Sequence, residues 1–126
     1  MRLPRGFTLL ELLIVIVIIG LLAAMAVLNY TSAREKAQLA GMKADLRNLA
    51  TAEEAYFYDS ASYSTSLVLM NNYTPSKSNT VVVNEATKVG WSATATNLNT
   101  AKKCYLFMGT ATPVGSSTIE GLISCS

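Results

Sequence analysis

The sequence predicts an α+β fold: a long N-terminal α-helix, apolar in its first half and amphipathic in its second, packed on a small antiparallel β-sheet of three to four strands. Three observations predict it. Residues 7–28 are 22 consecutive positions holding a single charge, Glu11. Residues 29–60 contain no Pro and carry an apolar stripe at helical spacing. Beyond Pro75 the apolar period shortens to two, in short runs separated by turn residues.

The first half of the helix is a membrane span by length and composition. Every position from Leu12 to Leu28 is apolar or Gly, and a helix needs roughly 20 such residues to cross a bilayer. Glu11 is the exception, and a carboxylate in hydrocarbon costs on the order of 3 kcal/mol or more unless it has a partner. Arg2 and Arg5 precede the span, which by the positive-inside bias keeps the N-terminus cytoplasmic and the C-terminal part outside. An ordinary secretory signal with its cut after Ala24-Met25-Ala26 is the plain rival. Glu11 would interrupt its apolar core, and the helical pattern runs on past that cut. A simple membrane anchor would leave Gly6, Phe7 and Glu11 without a reason.

Arg5-Gly6-Phe7-Thr8-Leu9-Leu10-Glu11, followed by the unbroken apolar run, resembles the class III signal of type IV pilins and of the pseudopilins of type II secretion. The resemblance implies a pilin fold, cleavage by a prepilin peptidase between Gly6 and Phe7, N-methylation of Phe7, and a role for Glu11 in assembly. On that reading residues 1–6 are a leader, 7–29 a transmembrane and later filament-core half-helix, and 30–126 a globular domain. The chain would be a structural subunit and no enzyme. It would wait in the inner membrane, meet an assembly platform there, and join a homo-oligomeric extracellular filament. A pseudopilin of type II secretion is the alternative within the family, and a monomeric membrane-anchored binding module the alternative outside it. One position departs from the family. Many pilins have Pro just before the Tyr position held here by Tyr30, where this chain has Leu28, and in them the stretch from the Gly matched by Gly20 to that Pro often loses helicity on assembly. Pro costs a helix about 3 kcal/mol and Gly about 1, so Leu28 leaves such melting open.

The second half of the helix follows without a break. Leu39, Met42, Leu46, Leu49 and Tyr56 make the stripe, with Arg34, Lys36, Lys43, Asp45, Arg47 and Glu54 mostly off it. Glu53 falls within the stripe, either as a long side chain snorkelling to its edge or as a subunit contact. One continuous helix is expected from about Thr8 to about Tyr58. Residues 59–79 are rich in Ser, Thr and Asn and read as a connecting loop with one helical turn around 67–70. Strands are expected at 80–83, 89–96, 104–109 and 119–123, with turns at 97–100 and 113–117. Trp91, Tyr105 and Phe107 would supply the core.

The chemistry the residues exclude is as informative. There is no His, so a Ser-His or Cys-His nucleophile cannot be built. Of 10 basic side chains, Arg2 and Arg5 lie in the leader, leaving 8 against 8 acidic ones, so bulk charge gives no reason to expect nucleic acid as a partner. Lys102-Lys103 is the one adjacent basic pair after the leader and reads as surface solubility before DNA contact. No cofactor or metal is expected, since Glu85 and Glu120 alone offer too few oxygens for calcium. Tyr56, Phe57, Tyr58 and Tyr63 read as core and interface before an electron path, and Asn72-Tyr73-Thr74 matches a glycosylation sequon. Cys104 and Cys125, an even pair in an exported region, suggest a disulfide closing a 22-residue loop, worth about 3 kcal/mol on the chain-entropy model. Type IV pilins commonly tie down their C-terminal region this way. Two free thiols or a redox pair is the alternative, without the C-x-x-C spacing that would favour it.

Overall fold

The computed structural model describes residues 6–70 and 73–126. They fall into two compact units, the second being Glu35–Ser126. A single helix, α1, spans Leu9–Ser60 and contributes to both. Arg2, Arg5 and Asn72 of the sequon lie outside the described residues.

In the first unit α1 is apolar on every side from Leu12 to Leu28, and its large apolar side chains stand exposed, from Leu9 at 83% to Leu28 at 74%. The helix continues unbroken through Gly20 and Leu28. Among the described residues nothing covers it.

In the second unit α1 is one-sided, as its stripe requires. Met42, Leu46 and Leu49 are fully buried, and Leu39 and Tyr56 pack half-buried against the same core. The helix ends at Ala61, which takes the left-handed φ of 53° usually given to Gly and whose N–H bonds the Phe57 carbonyl. A short 3-10 turn over Leu67–Leu69 interrupts the connecting loop, as expected.

Four antiparallel strands then follow in sheet order: β1 (Asn79–Ala86), β2 (Gly90–Asn97), β3 (Thr100–Gly109) and β4 (Ser124–Cys125). Alternation decides which side chains meet α1. Val81, Val83, Trp91, Ala93, Ala95, Cys104 and Leu106 line one face and form the core with the helix stripe. Ala93, Ala95 and Trp91 of β2 are all fully buried in that core.

Two expectations fail here. Phe107 is buried as expected, at 8% exposed, but neither it nor Tyr105 joins Trp91. Directly paired residues share a face, and Trp91 pairs with Met108 whereas Phe107 pairs with Ser92 on the other side of the sheet. The expected strand at residues 119–123 is a turn segment instead, with Ile119 and Leu122 exposed. Gly121, at φ 73°, breaks the extended path, and its N–H donates to the Phe107 carbonyl of β3. Pairing resumes as β4, where Cys125 lies opposite Cys104 and the two form a disulfide. Ser126 and Lys103 exchange backbone bonds beside it, so the C-terminal segment closes the open edge of β3.

Candidate assembly site

The approach to α1 is built from four residues. Gly6, Phe7 and Thr8 precede the helix in non-helical conformation, and Phe7 is 83% exposed. A Cβ added to Gly6 would meet nothing within 4 Å. The chain's own packing therefore gives no reason for Gly at this position, and the peptide bond that follows it is open to solvent.

Thr8 and Glu11 make a reciprocal cap. Thr8 N–H and Thr8 Oγ1 both donate to Glu11 Oε2, each at 2.9 Å, and Glu11 N–H donates to Thr8 Oγ1 at 3.2 Å. This is the capping box, Thr-x-x-Glu, in which two otherwise orphaned helix N–H groups are satisfied together. The carboxylate also sits in the first turn, where the helix dipole favours negative charge. Both donors go to one oxygen, and among the described residues no hydrogen bond engages Oε1. The arrangement holds the carboxylate in one orientation with an oxygen available to a further donor. Glu11 was singled out from the sequence as an acid in search of a partner, and Thr8 was missed. The signal was there: a Thr three residues before a Glu at the mouth of an apolar run.

The two carboxylates buried in the second unit behave differently. Glu53 is neither snorkelling nor offered to a neighbour, because it is fully buried. Its Oε2 accepts the Ser64 N–H at 3.1 Å and its Oε1 has no partner among the described residues. Burial pushes its pKa up to about 7, against the opposing pull of the Ser64 bond. Asp45, read as lying off the stripe, is 3% exposed. It accepts Ser76 N–H at 3.1 Å, Ser76 Oγ at 2.8 Å and Asn79 Nδ2 at 2.6 Å, while Tyr73 Oη bonds its backbone carbonyl. Burial raises the Tyr73 phenol well above its usual range, with the Asp45 charge adding to it. The polar loop before β1 is thereby pinned to α1 through one acid.

The remaining candidates are placed apart from this site. Glu85 accepts the Thr112 N–H at 3.0 Å and Glu120 the Gly109 N–H at 2.7 Å, so each holds a loop by itself. No group of three or more metal-ligating side chains occurs among the described residues. Lys102 is engaged with Glu35 at 2.9 Å. Phe57 stacks on Tyr63, with centroids 4.7 Å apart, and Tyr63 Oη bonds Glu54.

Residues 1–27 match the family described as the prokaryotic N-terminal methylation motif. The chain is 42% identical over 60 residues to the type IV major pilin protein PilA of Myxococcus xanthus, covering 48% of this chain and 27% of that one. It is similar to the type II secretion system core protein G of Klebsiella pneumoniae, 43% identical over 65 residues, covering 52% of this chain and 46% of that one. It also resembles the type IV wide pilus major component PilA4 of Thermus thermophilus, 44% identical over 63 residues, 50% of this chain and 48% of that one. The matched stretch spans less than half the length of each of these relatives.

Proposed function

We propose that the chain is the structural subunit of a type IV pilus-like filament. The observation that carries this reading is the fully exposed apolar helix behind a capped acid, residues 7–28 with the Thr8–Glu11 box at their head. Such a surface has no place in water, and a bilayer satisfies it only while the chain stays there. In a filament the same helices of neighbouring subunits bury one another, so the filament core replaces the bilayer as an apolar solvent.

The N-terminal chemistry fits that exchange. A prepilin peptidase would cut the open bond between Gly6 and Phe7, and methylation would follow on the new Phe7 amine. Both Thr8 donors lie after the cut, so the capping box survives processing. Glu11 then reaches assembly with its orientation set and Oε1 unengaged, and pairs with a Phe7 ammonium. Each charge relieves the cost of burying the other. The precursor would sit in the inner membrane with the Glu35–Ser126 unit outside, and an assembly platform in that membrane would extract it. The chain does no chemistry of its own on this reading; it is the substrate of the enzymes that process it.

Glu11→Val tests the role. Membrane insertion should persist and the mass of the N-terminus should still show the cut after Gly6, while filaments disappear from sheared surface material. Normal filaments from that variant would sink the assignment. The similarity to core protein G supports a second reading, a pseudopilus subunit. It is separated by locating the polymer: surface fibres favour the pilus, and loss of protein secretion with no fibres favours the pseudopilus. A chain that stays monomeric in the membrane would leave only the anchored binding module.

A further inference from the structure

The fold of the second unit engages every acid but one. Glu35 pairs with Lys102, Asp45 and Glu53 are buried in hydrogen bonds, and Glu54, Glu85 and Glu120 hold Tyr63, Thr112 and Gly109. Asp59 has neither a hydrogen bond nor an ion pair among the described residues, and it is exposed. Beside it Tyr58 is 90% exposed, more than any other large hydrophobic side chain in the unit. The end of α1 therefore presents an aromatic ring and a carboxylate together, with no partner among the described residues.

A receptor of matching chemistry lies elsewhere on the same unit. Lys43 and Arg47, one helical turn apart on α1, border a groove of about 370 Å³ lined also by Leu106, Met108, Leu122 and Ile123. Neither cation has a carboxylate within ion-pair distance among the described residues. The groove is at the small end for a ligand site, and its apolar lining with two cations at one border suits a side chain or two of the Tyr-Asp kind. The chain cannot fill its own groove. Asp59 is twelve residues along a straight helix from Arg47, about 18 Å at 1.5 Å per residue, beyond the reach of the two side chains.

We propose that Tyr58 and Asp59 of one copy of this chain dock into the Lys43–Arg47 groove of a neighbouring copy. The contact joins two different patches of the same molecule, and such heterologous contacts repeat without closing unless the geometry returns on itself. It rests on the filament reading and supplies that filament with a side contact between the second units, distinct from the packing of the N-terminal helices. Exposed ion pairs contribute little affinity alone. The buried ring therefore carries the contact, and the charges set its register.

Charge exchange in the full-length chain, in cells that process and assemble it, tests the contact. Asp59→Arg and Arg47→Asp should each lower filament yield in the sheared fraction at least tenfold, with membrane levels and the Cys104–Cys125 disulfide unchanged. The two together should restore yield to within about threefold of the native chain. Single variants that assemble normally, or a double variant no better than the singles, would overturn it. A chain carrying both Asp59→Cys and Arg47→Cys should give an oxidised ladder of multimers from its filaments. Filaments with no ladder, or a cross-link to a different protein, refute the contact and leave the filament reading standing. If the native chain forms no filament, the filament reading fails and the contact with it.

Discussion

One helix meets two fates along its length. From Leu12 to Leu28 it is apolar all round and exposed; from Glu35 it shows one apolar stripe, and the chain's own sheet covers it. The acids follow the same division. Glu11 stays at the surface with a local cap that any helix could build, whereas Asp45 and Glu53 are buried and depend on loops 11 to 34 residues away in sequence. The second unit completes its core from within the chain. The first is a surface that only other molecules, lipid or protein, can complete.

The comparison breaks first at Trp91. Trp91→Ala removes the largest fully buried side chain and should cost about 3–5 kcal/mol. Urea unfolding of the detergent-solubilised chain should show the second unit lost or severely weakened, while the first helix keeps the protein in the membrane fraction. If insertion fails too, the two regions are not separable.

Glu53 sharpens it next. Its folded pKa of about 7 lies above the ordinary 4.5, so protonation favours the folded state. The stability this provides is fully present below about pH 4.5 and is lost as pH rises through 7, a decline on the order of 3 kcal/mol. Glu53→Gln should flatten that part of a denaturation profile measured against pH. A Gln variant with the native slope would place the titration elsewhere.

The smallest effect is a gain. Ala61 ends α1 in a conformation that suits Gly, so Ala61→Gly should stabilise the second unit by about 1 kcal/mol. A rise in the urea midpoint with an unchanged slope is the expected result.

Much of this architecture was legible in the residues. The apolar run, the stripe, the connecting loop and three of the strands follow from composition and period, because each is a property of a short window. The Gly6, Phe7 and Glu11 cluster was legible for the same reason. Thr8 belonged to that window and its Thr-x-x-Glu signature could have been read. Asp45 and Glu53 could not be, since a carboxylate at a helix border has no sequence mark that separates a solvated side chain from one bonded to a loop 31 residues further on.

Local pattern, then, determined by itself that the chain begins with a span-length apolar helix headed by an acid, and that a two-cysteine α+β domain follows. Tertiary structure alone decided which face of each strand is inside. An irregularity between Val83 and Glu85 shifts the register by one residue, turning Glu85 outward beside Ser92 and Ala86 inward beside Trp91. Pairing likewise sends Phe107 to the side away from α1. Because strand side chains alternate with a period of two, a shift of one position reverses every face after it, and what sets that shift is the partner strand rather than the residues themselves.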